Sequence, residues 1–268
     1  MIPKPKYYLL LVIFSFISFL IVQSQEKKII EKINQKQGLS NSRITGIVKD
    51  EDGFIWISTQ DGLNKYDGFN FEVFQKKNSN ISSNDITHII RDSKNRIWVA
   101  TLGGGISLYD KQKNNFRVIK KLNSEAKSII SNQINILFED TQGFIWIGTD
   151  NGVSKINPVS FNYINFQSLE LSNINVTSFY EGMNGDMYIG TFGRGLFVLK
   201  NGHKSIEKIK VNQQEKIKYI NVLSSLNNDN LLVGTSYHGL MRFDLNTNLV
   251  TDYFKENNLR LFFYPLKN

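Results

Sequence analysis

The apolar residues of this chain do not fall on a helical period. From Ile44 onward they gather in runs of about 4 to 7 residues, rich in Ile, Val, Phe and Thr, each closed by Asp, Asn, Gly or Ser. Runs of that length and composition between turn formers predict β-strands. One long apolar stretch stands outside the pattern: Leu9 to Val22 follows Lys4 and Lys6 and ends in Gln23 and Ser24. Basic, apolar and small-residue segments in that order predict a helical export signal over 1–24, cleaved after Ser24. The stretch is short of the roughly 20 residues a permanent span needs, so an uncleaved N-terminal anchor is the alternative. Both place the body of the chain outside the cytoplasm, in the periplasm or cell envelope.

The strand runs repeat. GFIWISTQDGLNKYD from Gly53, NRIWVATLGGGISLYD from Asn95, GFIWIGTDNGVSKIN from Gly143, GDMYIGTFGRGLFVLK from Gly185 and DNLLVGTSYHGLMRFD from Asp229 align with at most one inserted residue. Their anchors, Trp56, Trp98, Trp146, Tyr188 and Leu232, recur 42, 48, 42 and 44 residues apart. Three residues on stands a threonine each time, Thr59, Thr101, Thr149, Thr191 and Thr235, followed by Gly62, Gly105, Gly152, Gly195 and Gly239. An earlier run begins 12 residues before each anchor, at Ile44, Ile86, Ile134, Val176 and Ile220, and a short run such as FEVF from Phe71 closes the unit. Four strands in a unit of this period predict a β-propeller blade.

The chain is therefore read as all-β: a β-propeller of four-stranded antiparallel blades, five present over 38–256 (about 38–80, 81–128, 129–171, 172–215 and 216–256). An incomplete propeller is expected, with a closed five-bladed ring as the alternative. Residues 25–37 are expected to be a linker or a closing strand for the last blade, and 257–268 the start of a truncated sixth repeat. The anchors should pack between blades, and the threonines should tether the next turn through their hydroxyls. In the turns Asp50 to Gly53 and Asp140 to Gly143 the aspartate should bond its own backbone.

Composition narrows the chemistry. Hydrophobic residues at 41% and charged residues at 21% supply a core and argue against a disordered chain. Without cysteine, disulfides, thiolate metal sites and cysteine nucleophiles are excluded, and three histidines leave little room for a histidine metal site. No cofactor and no metal are expected. The net charge of +8 is spread over short runs such as Lys76 with Lys77, not one stripe, so nucleic acid is not an expected partner. Nor is a membrane, beyond the N-terminal signal or anchor.

GLSNSRITGIVKDEDGFIWISTQDGLNKYDG from Gly38, with its returns from Ile81 and Ile129, resembles the two-component regulator propeller repeat. Units four and five have drifted: Tyr188 and Leu232 replace the tryptophan, and Gly182 and Leu226 replace the turn aspartate. The resemblance implies the exported sensor region of a membrane histidine kinase, often a hybrid kinase, in bacteria of the Bacteroidetes type. Members are commonly associated with sensing polysaccharide breakdown products, and continue into further repeats, a small β-sandwich, a transmembrane helix and a kinase core. The chain is on that basis expected to be a fragment lacking the kinase.

The positions between each threonine and its glycine are free to differ, and they carry the ligand candidates Phe192, Arg194, Tyr237, His238, Asp61 and Asp150. Aromatic faces with cationic and amide groups suit an oligosaccharide-like or other small polar ligand. For Asp61 and Asp150 the competing reading is an ordinary turn residue. His88, on a first strand where other units place Gly46, Ile136, Ser178 and Val222, reads as an interior histidine. No catalytic residues are expected, since glycoside hydrolysis needs two nearby carboxylates and no nucleophile or nucleotide motif is present. The leading expectation is a non-catalytic ligand-sensing module, with a small-molecule or oligosaccharide ligand and a second copy of the chain as partners. The alternatives are a stand-alone exported glycan- or protein-binding propeller and, behind it, a polysaccharide-cleaving propeller.

Overall fold

Connections of a few residues leave consecutive runs no reachable partner but each other. The computed structural model describes residues 32–122, 128–166 and 173–256 and shows them paired that way, in five antiparallel four-stranded sheets. All lie in the compact unit that begins at Asn34. Blade one holds β1 (Ile44–Lys49), β2 (Ile55–Thr59), β3 (Gly62–Tyr66) and β4 (Phe71–Phe74), and blade two β5 (Ile86–Arg91), β6 (Ile97–Thr101), β7 (Gly105–Asp110) and β8 (Asn115–Ile119). Blade three holds β9 (Ile134–Glu139), β10 (Ile145–Thr149), β11 (Gly152–Ile156) and β12 (Tyr163–Phe166). Blade four follows with β13 (Asn175–Glu181), β14 (Met187–Phe192), β15 (Gly195–Leu199) and β16 (Ile206–Lys208), and blade five with β17 (Ile220–Asn227), β18 (Asn230–Thr235), β19 (Gly239–Asp244) and β20 (Val250–Asp252).

The first strand of each blade touches the first strand of the next, so β1, β5, β9, β13 and β17 are the inner strands. Second strands such as β6 are buried on both faces, whereas outer strands such as β8 mix buried and exposed residues. Four apolar clusters join blades one to two, two to three, three to four and four to five. No sheet closes on itself and no cluster joins blade five to blade one among the described residues, so this is an incomplete propeller.

The anchors behave according to their neighbours. Trp56, Trp98 and Trp146 are buried, as is Tyr188; Trp56, for instance, meets Tyr109 of blade two edge-on at 4.7 Å. Leu232 is only half-buried, because no blade follows blade five among the described residues. Each tryptophan also does what its hydrophobicity does not foretell. Its indole N–H donates to the turn aspartate six residues before it, Trp56 to Asp50, Trp98 to Asp92 and Trp146 to Asp140, at 2.8 Å each. The other oxygen of that aspartate accepts two backbone N–H groups, those of Lys94 and Arg96 in the case of Asp92. The turn and the core side chain are thus locked to one carboxylate, which is buried at Asp92 and Asp140 and half-buried at Asp50. Blade four, with Gly182 in place of the aspartate, uses Asp186 instead, which accepts from Lys200 Nζ at 2.7 Å and Asn201 N–H at 2.8 Å. Burial pushes this carboxyl up, and the hydrogen bonds from Lys200, Asn201 and Asn184 outweigh it, so it stays below the usual carboxylate range.

The threonine hydroxyl donates to the carbonyl of the turn glycine in all five blades, at 2.6 to 3.0 Å. The glycine adopts positive φ, for example 79° at Gly105, where an added Cβ would collide with the carbonyl of Ile119. Its N–H crosses to the following blade: Gly62 to the carbonyl of Asn84, Gly105 to Asn132, Gly152 to Ile174 and Gly195 to Lys218. A second recurring link leaves the second residue of the inner-strand run. Thr87 donates to the carbonyl of Ile134, Asn135 to Val176 and Thr177 to Ile220. A third joins a turn to the end of the next inner strand, Ser93 to Glu139 and Thr141 to Glu181.

The described residues of the 25–37 segment do not form a closing strand. They carry a 3-10 turn over Gln35–Gln37, capped by the Asn34 side chain, and all four strands of blade five come from its own repeat. Within this turn the Gln37 side chain accepts from the Asn34 N–H and the Asn34 side chain accepts from the Lys36 N–H, so these backbone groups are satisfied locally. The expected signal over 1–24 and the expected sixth repeat lie outside the described residues.

Candidate ligand-binding site

The turns between second and third strands and the connectors leading into the inner strands share one end of the blades, since the turn glycines bond to connector carbonyls. The structure divides the six candidates on this face. Asp61 accepts from Asn84 Nδ2 at 3.1 Å, and its N–H donates to the Thr59 hydroxyl. Asp150 accepts from Ser131 Oγ at 2.7 Å. Both acids hold turn to connector.

The aromatic candidates come together through a residue the candidate set lacks. Phe192, at the end of β14, and Tyr237, in the β18–β19 turn, flank Tyr219. Their rings meet it edge-on, with centroids 5.0 and 5.1 Å away. Backbone bonds fix the arrangement: Tyr219 bridges Phe192, its carbonyl accepts from Ser236 N–H, and the Lys218 carbonyl accepts from Gly193 and Gly195. The ladder crosses the junction of blades four and five. It faces water, with Phe192 41% and Tyr237 69% exposed. Arg194 and His238 are exposed beside it, and the Lys218 ammonium lies 5.7 Å from the Tyr219 ring centroid. Edge-on rings leave faces free to stack on a flat or C–H-rich ligand, while the cationic and imidazole groups supply donors to its oxygens.

Tyr219 stands one residue before the inner-strand run, where the other units have Arg43, Asp85, Gln133 and Asn175. An aromatic among four polar equivalents was the available signal, but it falls on a connector, outside the aligned turn positions. His88 is largely interior. Its Nδ1 accepts from Leu137 N–H at 3.4 Å, and burial depresses its imidazole to about 4 from the ordinary 6.5, so it is neutral in the fold. No group of three or more metal-ligating side chains occurs among the described residues.

Comparison with known proteins agrees with this architecture. The two component regulator propeller family model matches residues 38–61, 80–103 and 128–151, each holding a connector and the first two strands of blades one, two and three. A histidine kinase of Formosa agariphila is 30% identical, over 70% of this chain and 18% of the kinase. Among solved structures, the extracellular domain of a hybrid two component system from B. thetaiotaomicron is 25% identical, with a TM-score of 0.72, over 82% of this chain and 31% of that one. Virginiamycin B lyase from Staphylococcus aureus, 12% identical with a TM-score of 0.60 over 78% of this chain and 69% of the lyase, shares the fold alone. The chain thus spans under a fifth of the kinase and about a third of the extracellular domain.

Proposed function

This chain carries repeats of the two-component regulator propeller family, and on that premise we propose that it is the exported, non-catalytic ligand-sensing propeller region of a two-component, hybrid-type sensor histidine kinase. The histidine kinase among its relatives and the extracellular domain that shares its blades support both the sensor role and the location outside the cytoplasm. The phosphorelay chemistry belongs to other parts of such a protein.

The observation that carries the reading is the ladder in which exposed Phe192 and Tyr237 flank the half-buried Tyr219, with Arg194 and His238 beside it. Its ligand is oligosaccharide-like: pyranose rings present C–H faces for aromatic edges and faces, and hydroxyls for the flanking donors. Binding without turnover fits the acids on this face, since Asp61 and Asp150 already accept hydrogen bonds from neighbouring connectors. Calorimetric titration of the chain with pools of neutral and acidic oligosaccharides tests the proposal. Saturable binding that falls at least about tenfold in Tyr219→Ala, worth about 1.4 kcal/mol, and survives in Asp61→Asn is the expected result. Chain-dependent cleavage of any pool, or binding indifferent to Tyr219 and Tyr237, would refute it.

A further inference from the structure

The inner strands carry a second concavity, distinct from the ladder. In every blade the inner-strand pairing shifts after its opening residues, as between Ile86 and His88 or Val176 and Ser178. Such bulges re-aim the side chain that follows. The re-aimed position is occupied by Gly46, His88, Ile136, Ser178 and Val222, five different side chains in a repeat whose neighbouring positions hardly change. The partner strand leaves space for them, since the residues opposite are Ser58, Ala100, Gly148, Gly190 and Gly234.

From blade two to blade five these positions line a cavity of about 430 Å³, within the range of small-molecule sites. Its walls are apolar at Ile136, Phe138 and Val222 and polar at His88, Ser178 and Asn221. Two of the polar groups have unused capacity. The Ser178 hydroxyl, tucked toward Gly190, is buried without any hydrogen-bond partner. His88 accepts at Nδ1 and so carries its proton on Nε2, which has no partner among the described residues. Thr177 and Glu139, also in the lining, are already committed, to the carbonyl of Ile220 and to Ser93. Arg91 and Glu139 add one charge of each sign to the lining.

We propose that this inner-strand cavity is a separate ligand site for an uncharged molecule that carries a hydrogen-bond acceptor on an apolar body. A neutral acceptor takes the donors of His88 and Asn221 without bringing a charge against a desolvated imidazole. The apolar body fills the space between Ile136, Phe138 and Val222.

The test uses four probes of similar size on the full chain: benzamide and cyclohexanol, uncharged, and benzoate and benzylammonium as charged counterparts. The expected result is saturable NMR shifts of the His88 ring and the Ser178 and Asn221 amides with benzamide or cyclohexanol, at least tenfold tighter than with benzoate or benzylammonium. Ser178→Ile should abolish the response by filling the cavity; isoleucine already occupies this position opposite a glycine in blade three, so the variant fits the fold. His88→Gln, which keeps one donor and one acceptor, should weaken it several-fold. No saturable response to either uncharged probe, equal affinity for benzoate, or persistence in Ser178→Ile would overturn the assignment. So would loss of the benzamide response in Tyr219→Ala, which would place the probe on the ladder instead.

Discussion

Five copies of one hydrogen bond, differing in burial, allow the cost of desolvation to be measured inside one molecule. Thr101 and its glycine partner are fully buried; the hydroxyl donates to the Gly105 carbonyl at 2.8 Å and meets Ser82 Oγ at 3.1 Å. Thr235 makes the same bond to Gly239 at 3.0 Å, but in blade five it is half-exposed and Gly239 is exposed. Thr→Val preserves shape and removes the hydroxyl. At Thr101 it strands a buried carbonyl, with an expected loss of about 1–3 kcal/mol; at Thr235 water replaces the lost donor, and the loss should stay below about 1 kcal/mol. Thr101→Ser, which keeps the hydroxyl and loses only a methyl group, should cost about 1 kcal/mol. Urea denaturation followed by circular dichroism, with hydrogen exchange of the Gly105 and Gly239 amides to localise the effect, reads these differences. Equal losses at Thr101 and Thr235 would refute the argument, since burial is the variable it turns on.

Other consequences are accessible to the same assays. Trp98→Ala should cost about 3–5 kcal/mol from the cavity and the freed Asp92 carboxylate, and Trp98→Phe should still lose the indole donor, whereas Leu232→Ala, on a half-buried anchor, should cost under half as much as Trp98→Ala. His88 makes folding pH-dependent. Its imidazole is depressed to about 4 by burial, so the stability tied to its neutral form is whole above the ordinary value of 6.5 and drains away as pH falls toward 4, by up to about 3 kcal/mol. Wild type should therefore lose that much relative to His88→Ile on going from pH 7.5 to 4, and an NMR titration placing His88 near 6.5 would contradict it. Gly105→Ala should destabilise by more than about 1 kcal/mol, because the added Cβ meets the Ile119 carbonyl at a positive φ, and melting temperature measures it.

The parts of this molecule that every blade needs were legible, because repetition within one chain marks them. Thr59 through Thr235 and the tryptophans stand out as constants, and their roles follow from the chemistry of hydroxyl and indole. The six-residue step from Asp50 to Trp56, repeated at Asp92 and Asp140, was equally visible, yet its meaning depends on the hairpin folding back to set indole against carboxylate. The candidate sites were legible only in part, since a binding position is one where repeats differ. Phe192 and Tyr237 could be picked from the turns, but Tyr219, which joins them, lies on a connector whose path depends on the next blade. His88 and Ser178 share a cavity only because each inner strand bulges at the same step, and no local residue preference announces that bulge.

Three recurring links between blades run in one sense. A turn glycine, an inner-strand threonine or asparagine, and a turn serine or threonine give the hydrogen; the following repeat supplies the oxygen. Each of these junctions is therefore heterologous, one blade's donor meeting the next blade's acceptor, while single bonds from Asn84 to Asp61, Leu137 to His88 and Asn95 to Glu51 return in the opposite sense and tie blade one to two and two to three from both sides.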